Sequence, residues 1–409
     1  MAKLDFSLTI VSPAFVAGSM EKPAQTSIRD RHGNIPPHRL IGMDGDGLRP
    51  PSLRGVLRFW FRAKSGFANT ADLAEKEGEI FGDTMHGQGF RLIPLGQSEW
   101  KQPLRIGGRG DFISGGSAKA YLGYGPLNYV SSDEGVSSHN KLNFRDAIPD
   151  GTVFHFRAIG SDRQIEELKK CLLLVHLFGG IGSRSRRAWG SLAVSGADII
   201  PEWQKGTPIG EWFGNALTRI WSSHERPSRK TDILTYSSFT AESQIRISNP
   251  YHSYSEAMND FYRQFKRTRL YNRNDGASSP PIARSDHDLE FRDSPRSNID
   301  LTDVPRRLAF GMPYYPKSLR NHWEIEYRGF NADPGDKGID RRASPLFLKI
   351  FQGPDRKLYA VSLFLKAQFF GDSNIKIGKD VRGKHLPFPD WTAVEAFLNH
   401  REWKTVALP

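Results

Sequence analysis

Apolar residues alternate with polar ones from the first residues of the chain. Leu4, Phe6, Leu8 and Ile10 fall on every second position, so the spacing predicts a strand over roughly 3–12. The period then changes. In "RPPSLRGVLRFWFRAKSG", residues 49–66, Leu53, Val56, Leu57 and Trp60 share one face at about 100° per residue. This is a helix, with two prolines and Ser52 as its start signal and Ser52 as its N-cap. A strand carrying Phe90, Leu92 and Pro94 follows a glycine turn, and residues 105–140, rich in Gly, Ser and Tyr, read as a long loop. In "GTVFHFRAIG", Val153, His155 and Arg157 alternate with Phe154, Phe156 and Ala158, a further strand. "DRQIEELKKCLLLVHLF" sets Ile165, Leu168, Leu172 and Val175 on one helical face, and "GGIGSRSRRAWGSLAVSG" turns back into a strand. Strand, helix, strand, strand, helix, strand is the split βαβ, or ferredoxin-like, order.

The plan repeats more loosely downstream. Residues 201–230 hold a short helix around "EWFGNALTRIWSS" and the polar, Pro-containing linker "HERPSRK". "ESQIRIS" reads as a strand and "SEAMNDFYRQFKRTRLY" as an amphipathic helix with a basic end. The segment 272–300 is too polar to bury itself and reads as a mobile insertion. "ASPLFLKIF" and "YAVSLFLKAQFF" read as strands, and "WTAVEAFLNH" as a last helix. The expected architecture is α+β: two ferredoxin-like, RNA-recognition-type domains over 1–200 and 231–409, joined by a helix and linker at 201–230.

Bulk properties narrow the function. The 409 residues suit about two domains. Net charge is +12 and the isoelectric point about 9.6, a surplus that favours polyanion partners. The single cysteine, Cys171, excludes a disulfide within the chain and a Cys-based zinc site; in "KKCLLLVHLF" it reads as a small buried hydrophobe. No apolar run reaches the ~18 residues of a membrane span, and a reducing cytoplasm is the expected compartment.

Two stretches carry chemistry. Arg54, Arg58 and Arg62 recur at i, i+4, i+8 beside the apolar face of the first helix. No acidic residue stands at helical spacing to pair with them, so their partner is sought outside this helix and outside the protein. "GGIGSRSRRAWG", 179–190, combines Gly179, Gly180 and Gly182, which permit close backbone approach, with Ser183, Ser185, Arg184, Arg186 and Arg187, which bind phosphate oxygens. It is no P-loop, since G-K-[ST] is absent and the segment follows a helix. "RRAWGSLAV" faintly resembles the RNA-recognition signature, with Trp189 at an aromatic position and Ser191 where a second aromatic belongs. Metal and acid–base candidates are weaker. Asp44 and Asp46 in "MDGDG", and Asp286, His287 and Asp288 in "SDHDLE", lack companion ligands and read as solvated acidic turns. His176 precedes the loop but lies in an apolar helix and reads as core. No metal, cofactor or catalytic set is expected. A purely protein-binding scaffold would explain the aromatic content but not the arginine placement.

"LRPPSLRGVLRFWFRA", "IFGDTMHGQGFRL", "GGIGSRSRRAWGSL", "LAFGMPYYP" and "RRASPLFLKI" together resemble the RAMP proteins of CRISPR systems. Within that group they resemble the first-subunit family of the Cmr, type III-B, RNA-guided effector. The resemblance spans both halves and implies two ferredoxin-like domains. It also implies a non-catalytic subunit holding the 3′ part of the guide RNA and the target single-stranded RNA beside other Cmr RAMP subunits. By the same resemblance Gly179–Arg187 and the arginines of the first helix contact RNA, while target cleavage belongs to another subunit. The alternative it leaves is a metal-independent RAMP endoribonuclease that processes CRISPR RNA.

Overall fold

The computed structural model describes residues 1–16, 48–97, 104–106, 118–124, 126–127, 145–270, 276–291, 306–311, 327–330, 343–368, 374–377, 390–399 and 402–409. The first half runs β1 (Ala2–Ile10), α1 (Pro50–Ser65), α2 (Thr70–Phe81), the short pair β2 (Gly82–Asp83) and β3 (Gly87–Gln88), and β4 (Arg91–Gln97). It continues with β5 (Leu104–Ile106), α3 (Ala118–Leu122), β6 (Arg145–Ala147), β7 (Val153–Gly160), α4 (Asp162–Phe178) and β8 (Leu192–Gly196). The connecting helix is α5 (Ile209–Thr218). The second half holds β9 (Gln244–Tyr251), α6 (Tyr254–Thr268), α7 (Pro281–Phe291), β10 (Tyr327–Phe330), β11 (Leu346–Gln352), β12 (Leu358–Phe364), β13 (Asn374–Ile377), α8 (Thr392–Leu398) and β14 (Lys404–Val406).

Two four-stranded sheets carry the same topology. The first is ordered β4-β7-β1-β8 and the second β11-β12-β9-β14. Numbering the four strands of each sheet along the chain gives 2-3-1-4 both times, with every neighbour antiparallel. That is the ferredoxin-like order expected from the alternating strand and helix periods. In β1 the register fixes which side is which. Leu4, Phe6, Leu8 and Ile10 are buried, and Asp5 faces out to a bidentate pair with Arg157 across the strand, at 2.7 and 2.6 Å.

Helix α4 explains how the halves join. From Cys171 to Phe178 every side chain is buried. A helix that is apolar all round must be covered all round, and α4 packs both on the first sheet and on β11 and β12 of the second. One core therefore unites Phe6, Phe156 and Leu168 with Ile245, Phe347, Phe351 and Val361. The other face of the second sheet, with Leu348, Ile350 and Phe364, packs with Phe261, Phe265 and Phe397 of α6 and α8. The layers run sheet, helices, sheet, helices.

Several expectations need correction. Helix α1 starts at Pro50 with Arg49 as N-cap; no side chain caps it, and Ser52 lies inside the first turn, where prolines at the leading positions suffice to nucleate the end. Helix α2, absent from the sequence reading, is capped by Asn69, whose side chain accepts from the Ala71 N–H at 2.8 Å. Part of the expected 105–140 loop is α3, which packs on α6. The polar linker is docked: the Trp221 indole donates to Lys64 O at 2.8 Å and Lys230 Nζ to Ser65 O at 2.8 Å, satisfying carbonyls at the end of α1. Within the polar segment 272–300, residues Pro281–Phe291 form α7, anchored through Asp286. The buried Asp286 carboxylate accepts from the Arg306 and Arg307 backbone N–H groups at 2.9 and 2.8 Å and from Arg307 Nε at 2.9 Å. It is no solvated turn, because three donors, one of them the Arg307 guanidinium of an ion pair, replace its water. Asp44 and Asp46 lie outside the described residues, as do the side chains of His287 and Asp288.

Candidate nucleic-acid interface

An RNA-recognition domain commonly presents stacking aromatics on its open sheet face. The outward positions of β1 and β7 here are Lys3, Asp5, Ser7 and Thr9, and Val153, His155, Arg157 and Ile159, with no Phe, Tyr or Trp among them. Asp5 pairs with Arg157, and Ser7 Oγ lies 2.8 Å from His155 Nδ1. Trp189, the aromatic of the signature-like stretch, is buried against Phe15 with ring centroids 4.6 Å apart. It is a packing residue and offers no platform to a base.

The arginine stripe finds its partners within the chain, contrary to the expectation from spacing. Arg54 donates to Phe81 O at 2.7 Å and Phe90 O at 2.6 Å. Arg58 donates to Gly82 O at 2.7 Å and Glu77 Oε1 at 3.0 Å. Arg62 donates through Nε to Glu77 Oε2 and through Nη2 to Glu77 Oε1 at 2.8 Å. The acceptors belong to α2 and the segment between it and β4. The Phe81 and Gly82 carbonyls are ones that the end of α2 leaves without partners, while Phe90 O comes from the residue before β4, and Arg54 and Arg58 also lie over the Phe90 and Phe81 rings, 4.9 and 5.5 Å from the centroids. The stripe thus mounts α2 on α1. Arg58 and Arg62 share one buried carboxylate, Glu77, and Arg54 meets only carbonyls, so the edge keeps a positive surplus while its donors are engaged.

The glycine-rich segment is clamped from two sides. Ile181 N–H donates to Gly190 O at 2.9 Å and Ser183 N–H to Phe15 O at 2.9 Å, which ties the loop to the end of β1. On the other side it joins β11 of the second sheet. Leu348 N–H donates to Arg186 O at 3.1 Å, and Ala188 N–H donates to Leu348 O at 2.9 Å. The next residue, Lys349, is fully buried, and its ammonium reaches Val175 O at 3.3 Å, Gly179 O and Leu192 O. A cation among the last carbonyls of α4 opposes the negative end of the helix dipole. Burial holds the Lys349 ammonium well below its ordinary range.

Within this frame the predicted residues separate. Gly179 and Gly180 bridge α4 to β8 and sit inside, with Gly180 paired to Ser191. Gly182 has φ +75°, and a Cβ there would stand 2.3 Å from Phe15 O, so only glycine fits. Arg186 donates to Ser344 O at 2.7 Å and lies over Phe347, 4.4 Å from the ring centroid, so it serves the seam. Arg187 is half-buried over Phe265 at 5.0 Å; burial first, then the nearby Arg269 cation, push its pKa down to about 9. Ser183, Arg184 and Ser185 form the outward tip. Arg184 is exposed and holds φ +63°, rare for a residue with a Cβ, and among the described residues no group accepts from its guanidinium.

His176 sits behind the loop and is buried. Its Nδ1 accepts from Val194 N–H at 3.0 Å, and burial, then the Lys349 cation, push its pKa down to about 3. The ring packs edge-on to Phe351 at 5.3 Å. It serves the core and has no path to a bound strand.

Sequence reasoning overlooked Glu77 and Lys349. The spacing of Leu73 and Ile80 behind an Asn cap was the signal for α2. For Lys349 the signal was one lysine inside the apolar run "PLFLKIF".

Residues 7–193 match the family model described as the RAMP superfamily. No curated protein sequence matches the chain. Among solved structures the fold is similar to a crystal structure of Cmr1 from Pyrococcus furiosus in its apo form. The TM-score is 0.50 at 17% identity, with 99% of each chain covered. A chain in the cryo-EM structure of Type III-B Cmr-beta bound to cognate target RNA matches with a TM-score of 0.47 at 11% identity, covering 97% of this chain and 98% of that one. At these identities the likeness is one of fold. Among the described residues no helix is long and apolar enough to cross a membrane.

Proposed function

We propose that this chain, whose residues 7–193 match the RAMP superfamily model, is a RAMP protein and a non-catalytic RNA-holding subunit of a type III-B CRISPR, or Cmr, effector. Its ligands in this reading are the 3′ part of the guide RNA and the target single-stranded RNA, and its neighbours are other Cmr RAMP subunits. The observation that carries the reading is Arg184. It stands on a rigid tip, in a backbone conformation that a side chain rarely adopts, with an exposed cation that no described group engages. Strain of that kind persists where the surroundings enforce it, and it marks functional positions. Direct phosphate contact is assigned to Ser183, Arg184 and Ser185. Gly179, Gly180 and Gly182 shape the tip, Arg186 ties it to the second sheet, and Arg54, Arg58 and Arg62 add positive potential along α1.

The net charge of +12 supports the same reading, since phosphate contacts dominate affinity for nucleic acid. Against the endoribonuclease alternative stands His176, the histidine that closely precedes the loop in sequence, which is buried and held neutral.

A salt titration tests the proposal. The logarithm of the binding constant, read from the anisotropy of a labelled single-stranded RNA, should fall with log salt at about −0.7 per phosphate neutralised, and Arg184→Ala should weaken binding about tenfold or more. The RNA should be recovered at full length, with or without Mg²⁺. A slope of zero, equal affinity for lipid vesicles, or cleavage that co-purifies with the chain would overturn it.

A further inference from the structure

The tip of the glycine-rich loop is not the end of the positive surface. Arg187, on the same loop, and Arg269, the C-cap residue of α6 in the second half, both lie over the Phe265 ring, 5.0 and 5.6 Å from its centroid. Arg269 is also 4.9 Å from the centroid of Phe310, and its Nε is buried with no partner. Two half-buried guanidiniums on one aromatic ring repel each other and lose water. Such a pair ordinarily has a carboxylate between its members; Arg187 Nη2 donates only to Phe310 O, at 3.4 Å, and among the described residues no carboxylate faces it, its charged neighbours being Arg269 and Arg184. The position is one that an external anion would complete.

Helix α3 supplies the other half of the surface. It packs on α6, with Tyr121 against Phe265 at 5.3 Å and Tyr262 at 5.4 Å. One turn on, the chain leaves the helix and presents Tyr124, which is 60% exposed and within electrostatic reach of Arg184. Its backbone is fixed on both sides, by Gly123 N–H to Lys119 O at 2.8 Å and Leu127 N–H to Gly123 O at 2.9 Å. An exposed aromatic ring on a fixed backbone beside a row of cations has the composition of a single-strand site: cations track the backbone and the ring takes a base.

We propose that Arg269 of the second half joins Arg184 and Arg187 in one site for a phosphodiester of single-stranded RNA, with Tyr124 stacking an adjacent base. This rests on the RNA-holding reading and extends it: both domains grip one strand across their seam. The feature that singles out RNA over a free phosphate is the ring, since inorganic phosphate has nothing to stack.

The test uses the full chain, a labelled uridine homopolymer and an abasic ribose-phosphate oligomer of equal length. Arg269→Ala should weaken binding of both probes about tenfold and make the salt slope shallower by about 0.7, one phosphate's share. Arg269→Lys, which keeps the charge and a stem over Phe310, should recover most of the affinity. Tyr124→Ala, at an exposed position that folding tolerates, should weaken the homopolymer about tenfold and leave the abasic oligomer unchanged. Wild-type affinity and slope in a folded Arg269→Ala chain would remove the second domain from the site. An equal loss for both probes in Tyr124→Ala would refute the stacking. Absence of salt-dependent binding by the wild-type chain would instead overturn the RNA-holding reading beneath it.

Discussion

Replacing Gly182 by alanine separates two costs that usually come together. The new Cβ would stand 2.3 Å from Phe15 O and 2.8 Å from its carbonyl carbon, both backbone atoms that no rotamer change can move. The left-handed φ of +75° costs an alanine about 1–2 kcal/mol. Relief of the contact then requires the loop to shift away from Phe15, which sacrifices the Ser183 N–H to Phe15 O bond, about 1 kcal/mol more. The sum is about 3 kcal/mol. Gly206 is the control: its φ is +101°, and nothing stands within 4 Å of its Cβ position. Gly206→Ala therefore carries the conformational cost alone, offset by a stiffer unfolded chain, for about 1 kcal/mol. Urea unfolding of both variants at unchanged m-value measures the difference directly. Gly182→Ala should also bind single-stranded RNA more weakly at concentrations where it is fully folded, since Ser183 and Arg184 move with the loop. Equal midpoints for the two variants would refute the claim that the tip is clamped to the end of β1.

Glu77→Gln should lower stability by about 1–2 kcal/mol, between the values for surface and buried pairs because Arg58 and Arg62 are partly exposed; RNA affinity should hold. A large loss of affinity in the folded variant would return the stripe to direct RNA contact. His176 gives a pH dependence. Its folded-state pKa, about 3, lies below the unfolded value of about 6.5, so the unfolded chain takes up a proton first and stability is lost as pH falls from 6.5 toward 3. The loss should approach about 1.4 kcal/mol per pH unit, and His176→Gln should flatten it; identical pH profiles of the urea midpoint would sink the assignment.

Both ferredoxin-like sheets were legible because alternation and helical period report only which face of an element is buried. That reading is local, and it reached β1, β7, α4, β9, β11 and β12 without knowledge of their neighbours. The partners of the arginines were not local. Arg58 and Arg62 meet Glu77 from 19 and 15 positions away, across a helix the reading had passed over, so the stripe looked unpaired. In the same way "SDHDLE" looked solvated because the donors that bury Asp286 come from residues 306 and 307. Trp189 matched a signature by position, yet packing on Phe15 decided its use. Tertiary contact, which no window of sequence contains, settled each of these.

The clamp on the glycine-rich segment also sets an order of events at the ribosome. Arg186 is held by Ser344, 158 positions later, and the carbonyl of Gly179 by Lys349, 170 positions later. Domains form as their residues emerge, the N-terminal one first. The first sheet is therefore complete as a sheet once β8 is made, while its glycine-rich turn waits for a strand not yet translated. A nascent chain halted between the two sheets carries the RAMP-matching residues without the finished tip. In the proposed reading the RNA-contacting tip is finished only with β11, so an incomplete product lacks that contact.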